Sequence, residues 1–423
     1  LAAALAGCGG GAAPAASSPA ASSAAPASAA AASSAPASRA AASRSPSASA
    51  AASTSASAAA KPAGGAPVKI GLSAAFSGPT AYLGESAKNA VQIGVDKFNA
   101  AGGVAGRPVQ IVTEDNENKP QSAVTSVRKL IDSDGVVAVI GELGSSVTLA
   151  AMPVFKEKQV PNVAYVSTNP SIYGQMGAGG NPWVFRVNAD DNSMAHAFSK
   201  QLIQAHKSYA IIAQNDDYGR GAVKAYDPLL KAGGVKITSE QFYDIGTPDF
   251  RPVLSKVKSE NPEALLTIGL ANDMAVMFHQ YKELGLKLAL YSRGAVATNE
   301  FLNRIKDIPN VADGLQEASV WTPGEDQTLE TEYQKRYGQP VVVHGAMAYY
   351  AWEAMAQALK TVTDPTPKNI RDALAKVDYQ QQGLGPIKFD DHNQAYPNMA
   401  LSGIQGGKLK FSGTLPTAPA SKS

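Results

Sequence analysis

Polar residues that can hold a small anion follow apolar, strand-like runs in this sequence. Ser145 and Ser146 come after the apolar run 136–140 and open a stretch with helical spacing. The free backbone N–H groups at the start of a helix, together with a hydroxyl, form a site for a carboxylate. The alternative role of either serine is a helix cap. The pattern predicts that Ser145 and Ser146 contact a bound anion.

Other polar side chains follow strand-like runs in the same way. These positions are Ser77, Asp115, Thr168, Asp216, Tyr218, Asn272 and Arg293. Ligands of open parallel sheets bind beyond the carboxyl ends of the strands. If the runs form parallel sheets, the loops that follow them are the expected place for a binding site.

Motifs of the common enzyme classes are missing from the sequence. It contains no GxSxG elbow, no GxxxxGK[ST] phosphate loop and no HExxH zinc motif. The five histidines are dispersed, and the acidic pairs Glu325-Asp326 and Asp390-Asp391 lie in turn-like sequence. We therefore expect a protein that is not an enzyme, with no catalytic residue, no metal and no cofactor.

The first residues indicate a lipid anchor. Leu5-Ala6-Gly7-Cys8 resembles a bacterial lipobox, in which small residues precede the cut and the thiol accepts the lipid. Cys8 is the only cysteine, which excludes an internal disulfide. Residues 1–8 are thus expected to be the end of a signal peptide, and the lipid on Cys8 would hold the protein at the outer face of the cytoplasmic membrane.

Composition divides the rest of the chain into a tether, a folded part and a tail. Residues 9–66 are almost entirely Ala, Ser, Pro and Gly, with too few large apolar groups to fold, and predict a disordered tether. The folded part of roughly 350 residues suits two domains. The net charge is only +2 and no basic cluster with aromatics occurs, so nucleic acid is not an expected partner. Residues 413–423 are expected to be a flexible tail.

Strand-like and helix-like segments alternate through the folded part. Short strand-like runs, as at 68–76 and the largely β-branched 136–140, are followed by stretches of helical periodicity, as at 84–100 and 120–133. The alternation begins again after Arg186 and continues to residue 291. Two such series in succession predict two α/β lobes, each with a parallel sheet covered by helices.

The order of several short motifs resembles the branched-chain amino acid binding proteins of ABC importers. The residues that carry the resemblance are Lys69-Ile70-Gly71-Leu72, Ser77-Gly78-Pro79, Phe98 through Arg107, Asp115-Asn116, Val139-Ile140-Gly141, Val160-Pro161 and Ser167-Thr168-Asn169-Pro170. The likeness extends over roughly residues 67–410.

This resemblance implies a type I periplasmic-binding fold, with two Rossmann-like lobes joined by a three-strand hinge. The first lobe would comprise 67–187 and 315–385, and the second 188–314 and 386–412. The implied partners are a small solute and the permease and ATPase subunits of an importer, with the receptor acting as a monomer. A non-transport sensor of an amide or similar molecule is the alternative, and an α/β enzyme a more distant one.

The resemblance also implies roles for particular residues. The loop of Ser145 and Ser146 would hold the ligand carboxylate, and Val166 and Thr168 would add backbone and hydroxyl contacts. A turn is the alternative role of Thr168. Tyr218 would be the second-lobe aromatic residue that closes over the solute, with packing at the helix start as its alternative. The first-lobe aromatic residue would be Tyr82, although Leu83 fits the alignment equally well.

Arg293 is a departure from the family pattern. Members that bind amino acids carry an acidic residue in this loop, which pairs with the ligand ammonium, whereas a guanidinium suits a carboxylate. If Arg293 faces the cleft, the expected solute is an aromatic acid, an aliphatic acid or a dicarboxylate without an α-ammonium. The alternative is that Arg293 points to solvent.

Overall fold

The computed structural model describes residues 65–294 and 296–419. Cys8 and residues 9–64 of the expected tether lie outside the described residues. Within the described ranges, no helix combines the length and the apolar character that crossing a bilayer requires.

The first sheet has five parallel strands in the order β2-β1-β3-β4-β5. The strands are β1 (Val68–Ala74), β2 (Val109–Asp115), β3 (Ala138–Ile140), β4 (Asn162–Ala164) and β5 (Val184–Arg186). The helices between them are α1 (Ala81–Ala100), α2 (Pro120–Asp132), α3 (Ser145–Lys158) and α4 (Pro170–Tyr173). All three residues of β3 are buried, as expected of an apolar strand covered on both faces.

The second sheet has seven strands in the order β14-β13-β10-β9-β8-β6-β7. Its parallel strands are β6 (Ser208–Gln214), β7 (Lys236–Tyr243), β8 (Ala264–Ile268), β9 (Ala289–Arg293) and β10 (Gln316–Ser319). The helices before and between them are α5 (Asp191–Ala205), α6 (Asp217–Ala232), α7 (Arg251–Glu260), α8 (Ala271–Glu283) and α9 (Asn299–Arg304). The chain then returns to the first lobe and adds α10 (Gln327–Tyr337), α11 (Val343–Leu359), α12 (Pro367–Leu374) and the hairpin β11 (Asp378–Gln381) and β12 (Gly385–Lys388). Finally β13 (Met399–Gln405) and β14 (Lys408–Leu415) extend the second sheet with antiparallel pairing.

Helix α11 packs against α1 on one face of the first sheet. The backbone of Gly94 lies so close to the indole of Trp352 that a Cβ at residue 94 would be 2.1 Å from Trp352 Cδ1. Phe98 meets the same indole edge-on, with ring centroids 5.7 Å apart. Since proteins are packed to crystal-like density, this contact fixes the position of α11, and with it the start of that helix.

The described chain passes between the two sheets after β5, after β10 and before β13, which is the three-segment hinge expected from the sequence. The first and third passages are hydrogen bonded to each other. The Arg186 N–H donates to Asn393 O (3.0 Å), and the Ala395 N–H donates to Arg186 O (2.9 Å).

Three expected boundaries differ from the structure. Residues 316–319 form β10 in the second sheet, so the return to the first lobe comes after residue 319 and not at 315. Residues 386–388 belong to β12, which pairs with β11, so the last passage follows residue 388. Residues 413–415 end β14 and are not part of a tail. In each case strand pairing decides the boundary, with the distant strand β13 for β10 and within a hairpin for β12 and β14.

Candidate ligand-binding site

A cleft with a cavity volume of about 50 Å³ lies between the carboxyl ends of the two sheets. Both lobes and the hinge line it. The first lobe contributes Asn118, Leu143, Gly144, Ser145, Val166, Thr168, Val343 and His344; the second contributes Gln214, Asp216, Tyr218, Leu270, Arg293 and Gly294; Ser319 and Val320 come from the hinge. Five of the residues predicted from the sequence are therefore brought together: Ser145, Val166, Thr168, Tyr218 and Arg293.

The N-terminus of α3 forms one part of the first-lobe wall. Its N-cap is Gly144, and no side chain caps the helix. Ser145 lines the cleft, and its Oγ accepts from the backbone N–H groups of Thr168 and Asn169, both at 3.3 Å. The Ser145 hydroxyl thus joins the two loops on which the sequence analysis centred.

Ser146 has a different position from its neighbour. It is not among the residues that line the cleft, and its Oγ accepts from the backbone N–H of Asp217 in the second lobe at 3.2 Å. The side-chain amide of Asn169 donates to the carbonyl oxygen of the same Asp217. On the far side of the cleft, Asn272 Nδ2 donates to Pro79 O at 3.3 Å. The structure therefore has its lobes closed on each other.

A second helix N-terminus, that of α11, lies in the same wall. Its N-cap Val342 offers no side-chain cap, and Val343 and His344 line the cleft. His344 is 5% exposed, and its Nδ1 has no hydrogen-bond partner among the described residues. Burial lowers the pKa of His344 to about 4, so the imidazole is neutral at pH 7. Sequence analysis had treated His344 as one of several dispersed histidines; its place in the first turn of an apolar helix was the available signal.

The loop that carries Val166 and Thr168 is held from behind by the hinge. Arg186, fully buried, donates through Nη1 to the carbonyl oxygens of Ser167 (3.3 Å) and Asn169 (3.0 Å). Thr168 is 1% exposed, and its Oγ1 has no hydrogen-bond partner of acceptable geometry within the described chain. The loop therefore presents a buried hydroxyl to the cleft on a rigid support.

Tyr218 and Arg293 form the second-lobe wall. The guanidinium carbon lies 5.0 Å from the centroid of the Tyr218 ring, a cation–π distance, and the phenol donates to Arg293 O at 3.2 Å. Burial raises the pKa of Tyr218 to about 12, which keeps the phenol neutral. Arg293 is 4% exposed and lines the cleft, so the alternative of a solvent-exposed arginine does not hold.

Arg293 already has an anionic partner in the protein. Its Nη2 donates to Oδ1 of Asp191, a fully buried residue, and also lies 3.1 Å from Met194 Sδ. Burial opposes the charge of Arg293 most strongly, but Asp191 and the two phenols Tyr218 and Tyr226 together hold its pKa above the usual value. The sequence analysis looked to the solute for this negative charge; the structure supplies it from the first turn of α5.

Tyr82 lies away from the cleft lining and against the second lobe. Its ring centroid is 5.9 Å from the guanidinium carbon of Arg304, and burial, followed by the charge of Glu300, raises its pKa. Leu83, the alternative in the alignment, is buried in the core of the first lobe. Tyr82 thus contributes to contact between the lobes.

One group of three residues in the described ranges could offer ligand atoms to a metal: Asp390, Asp391 and His392. The carboxylate of Asp390 accepts from the backbone N–H groups of His392 and Gln394, both at 2.9 Å, as in a tight turn. The His392 ring stacks on Tyr173 with centroids 4.5 Å apart. These contacts account for the cluster as a structural turn.

Comparison with known proteins places these features in a family. The family model described as periplasmic binding protein matches residues 67–408. The chain belongs to this family. A curated relative is the Leu/Ile/Val-binding protein homolog 1 of Brucella abortus, which is 24% identical over 338 residues, 77% of this chain and 87% of the relative. The branched-chain amino acid resemblance seen in the sequence is thereby confirmed.

Two solved structures of the family have the same fold. The branched-chain amino acid transporter substrate binding protein LivJ from Streptococcus pneumoniae, in complex with isoleucine, has a TM-score of 0.72 at 22% identity, covering 83% of this chain and 100% of the other. The ABC transporter solute binding protein from R. palustris, in complex with benzoate, has a TM-score of 0.74 at 20% identity, covering 84% and 100%. These likenesses confirm the predicted type I periplasmic-binding fold.

Proposed function

We propose that the protein is an extracytoplasmic receptor that delivers a small carboxylate-bearing solute to an ABC importer. The observation that carries this proposal is the first-lobe wall of the cleft. Two helices, α3 and α11, begin at the cleft without a side-chain cap. Beside them, the buried His344 Nδ1 has no hydrogen-bond partner among the described residues.

The electrostatics of this wall favour a carboxylate. Each helix N-terminus carries roughly half a positive elementary charge, from N–H groups that have no partner within the helix. Such N-termini bind anions through backbone N–H groups. Ser145 and Thr168 add hydroxyls that can donate to the same carboxylate.

The remainder of the cleft suits an apolar body. Leu143, Val166, Leu270 and Val320 line it, and the Tyr218 ring lies on the second-lobe side. We propose that the lobes close over the solute and that the permease recognises the closed form. The relatives named as Leu/Ile/Val-binding proteins and the ABC transporter neighbours support transport.

The proposed location rests on the N-terminal sequence. A lipid on Cys8 and the Ala/Ser/Pro-rich segment 9–66 would keep a monomeric receptor at the outer face of the cytoplasmic membrane. A Cys8→Ala protein should then leave the membrane fraction on salt washing. Retention of that variant in the membrane pellet would contradict the anchor.

The proposed function is tested with purified protein and a panel of solutes. A thermal-shift screen of amino acids, aromatic acids, aliphatic acids, dicarboxylates and amides should single out a carboxylate, since ligand at about 100 times Kd stabilises the folded state by about 2.7 kcal/mol. Calorimetry then gives the affinity. Stabilisation by amides alone would contradict a carboxylate receptor. Turnover of a bound acid would contradict the further proposal that the site performs no catalysis.

A further inference from the structure

Asp191 is the first residue of α5 and lies directly beyond the first hinge passage. Its side chain is fully buried and accepts from Arg293 Nη2. Its backbone N–H donates to Thr168 O at 2.9 Å, which ties it to the binding loop of the first lobe. Asp191 therefore sits where the two lobes and the cleft meet, although it does not itself line the cleft.

The charges around the hinge side of the cleft balance one another. Asp191 pairs with Arg293, and Asp190 lies 3.8 Å from the guanidinium of Arg186. Two further carboxylates are Glu317 and Asp216. Glu317 Oε2 accepts from the N–H groups of Val296 (2.7 Å) and Ala297 (3.1 Å), and Asp216 caps α6. One Asp216 oxygen accepts from the Gly219 N–H (3.0 Å) and the other from Gln214 Nε2 (2.6 Å). The positive N-terminus of α6 offsets about half of this charge. Arg293 is the one cationic side chain among the described residues of the second-lobe wall, and its counter-ion lies inside the protein.

The first-lobe wall differs in this respect. The N-termini of α3 and α11 meet the cleft without any carboxylate side chain to cap them. A buried imidazole, His344, lines the cleft in the first turn of α11. On this side of the cleft, two helix N-termini thus carry positive partial charge that no carboxylate caps.

We infer that Asp191 cancels the charge of Arg293 toward the solute, so that the receptor takes an acid with a single carboxylate and an otherwise uncharged body. This inference rests on the proposed function and names the solute class of the same site. Arg293 lines the cleft, but its guanidinium is the cation of an internal ion pair whose net charge is zero. It therefore does not receive the carboxylate of the solute.

Solutes with a second charge would be disfavoured for a physical reason. A second carboxylate at the second-lobe wall would lie beside Arg293, whose charge Asp191 already neutralises. It would also lie near the carboxylate of Asp216, which would repel it. An α-ammonium would be buried beside the N-termini that hold the carboxylate. Either ionic group would lose its hydration without gaining a free counter-ion.

The test is calorimetry on the full chain with acids matched in shape. 4-Methylpentanoate, leucine and 2-methylglutarate share one skeleton and differ by an added ammonium or an added carboxylate. 4-Methylbenzoate and terephthalate form a matched aromatic pair. For the set that binds, we expect the monocarboxylate to bind at least about tenfold more tightly than its doubly charged counterparts, a difference of about 1.4 kcal/mol.

Variants of the ion pair make the test specific. Asp191→Asn releases the charge of Arg293 while preserving shape, and should shift the dicarboxylate-to-monocarboxylate affinity ratio by about tenfold or more toward the dicarboxylate. Asp191→Asn combined with Arg293→Met is neutral again and should restore the original preference. Asp132→Asn, which breaks the exposed ion pair with Lys158 (2.8 Å), serves as the control and should leave the ratio unchanged.

The outcomes separate this inference from the proposed function. Binding of leucine or of a dicarboxylate as tightly as the matched monocarboxylate would overturn the inference alone, as would an unchanged ratio in Asp191→Asn. If Asp191→Asn does not fold, the double variant Asp191→Asn/Arg293→Met decides. A change in its preference between monocarboxylate and dicarboxylate would likewise overturn the inference. Failure of every acid in the solute panel to bind would overturn the carboxylate receptor itself, and this inference with it.

Discussion

The contacts around Asp217 predict that lobe closure can be weakened without touching the solute. Ser146 Oγ accepts from the Asp217 N–H at 3.2 Å, and Asn169 Nδ2 donates to Asp217 O. Asn169 Oδ1 separately accepts from the Ser171 N–H at 2.8 Å and caps α4. Replacing Asn169 by Asp keeps the capping oxygen but puts an acceptor where the donor to Asp217 stood.

The size of the effect follows from these two bonds. Loss of the half-exposed Ser146 bond in Ser146→Ala should cost about 0.5–1.5 kcal/mol, roughly two- to twelvefold in affinity. Asn169→Asp also sets two acceptors against each other, so about 1–3 kcal/mol, roughly 5- to 150-fold, is expected. Because solute binds between closed lobes, the apparent affinity falls with the population of the closed form.

Calorimetry and stopped-flow dissociation of the same solute measure the effect. Dissociation should speed up in both variants, and small-angle scattering of the solute-free protein should show a larger radius of gyration. Ser255→Ala, at an exposed serine of α7, is the control. Unchanged dissociation in Asn169→Asp, with the fold intact, would refute the reasoning that these bonds hold the lobes together.

Three further predictions concern stability and the binding wall. Burial raises the pKa of Glu142 and Glu325 to about 8 and that of Glu317 and Glu353 to about 7, so the folded state binds more protons than the unfolded one between about pH 4.5 and 8. The free energy of unfolding from urea titrations should therefore fall by on the order of a few kcal/mol as pH rises through this window. Glu142→Gln should make this fall smaller. A free energy of unfolding that rises with pH would contradict the prediction. His344→Leu should weaken binding of the acid roughly tenfold or more by removing a hydrogen bond to a charged group, while the affinity of the unmodified protein stays flat from pH 6 to 8 because the imidazole is neutral throughout; calorimetry at both pH values checks this. Gly94→Ala should lower the free energy of unfolding by about 1–3 kcal/mol in thermal unfolding, because its Cβ would overlap Trp352. In a Trp352→Leu background the same alanine should cost less. Equal costs of the alanine in the two backgrounds would contradict the overlap.

Strands that are apolar and buried along their whole length were predictable from the sequence. β3 and β8 are short apolar runs buried at every residue, so their composition alone identifies them. β10, Gln316–Ser319, has no such run, and it is a strand because β9 and β13 pair with it on both sides. The hinge boundary expected at residue 315 moved for the same reason, since pairing between β10 and β13, more than 80 residues apart, has no local periodicity.

The binding site was predictable where it follows a strand of a parallel sheet. Ser145, Thr168, Tyr218 and Arg293 all lie in such loops, and topology brings these loops to one edge. His344 enters the same cleft from the start of α11, a helix formed after the chain has returned from β10 to the first lobe. Its position depends on the packing of α11 against α1, which no local pattern in the sequence encodes.

Arg293 shows why the type of a side chain does not by itself determine its role in a site. A guanidinium facing a cleft suggests a receptor for carboxylates, and the sequence analysis drew that conclusion. Its partner Asp191 is 102 positions away in sequence and begins another helix. Once the pair is formed, the strongest ionic group of the wall is internally neutral, and the weaker, unpaired helix N-termini on the opposite wall decide where an anion binds. Selectivity in this cleft thus follows from which charges remain uncompensated, and Asp191 controls that balance without contacting the solute.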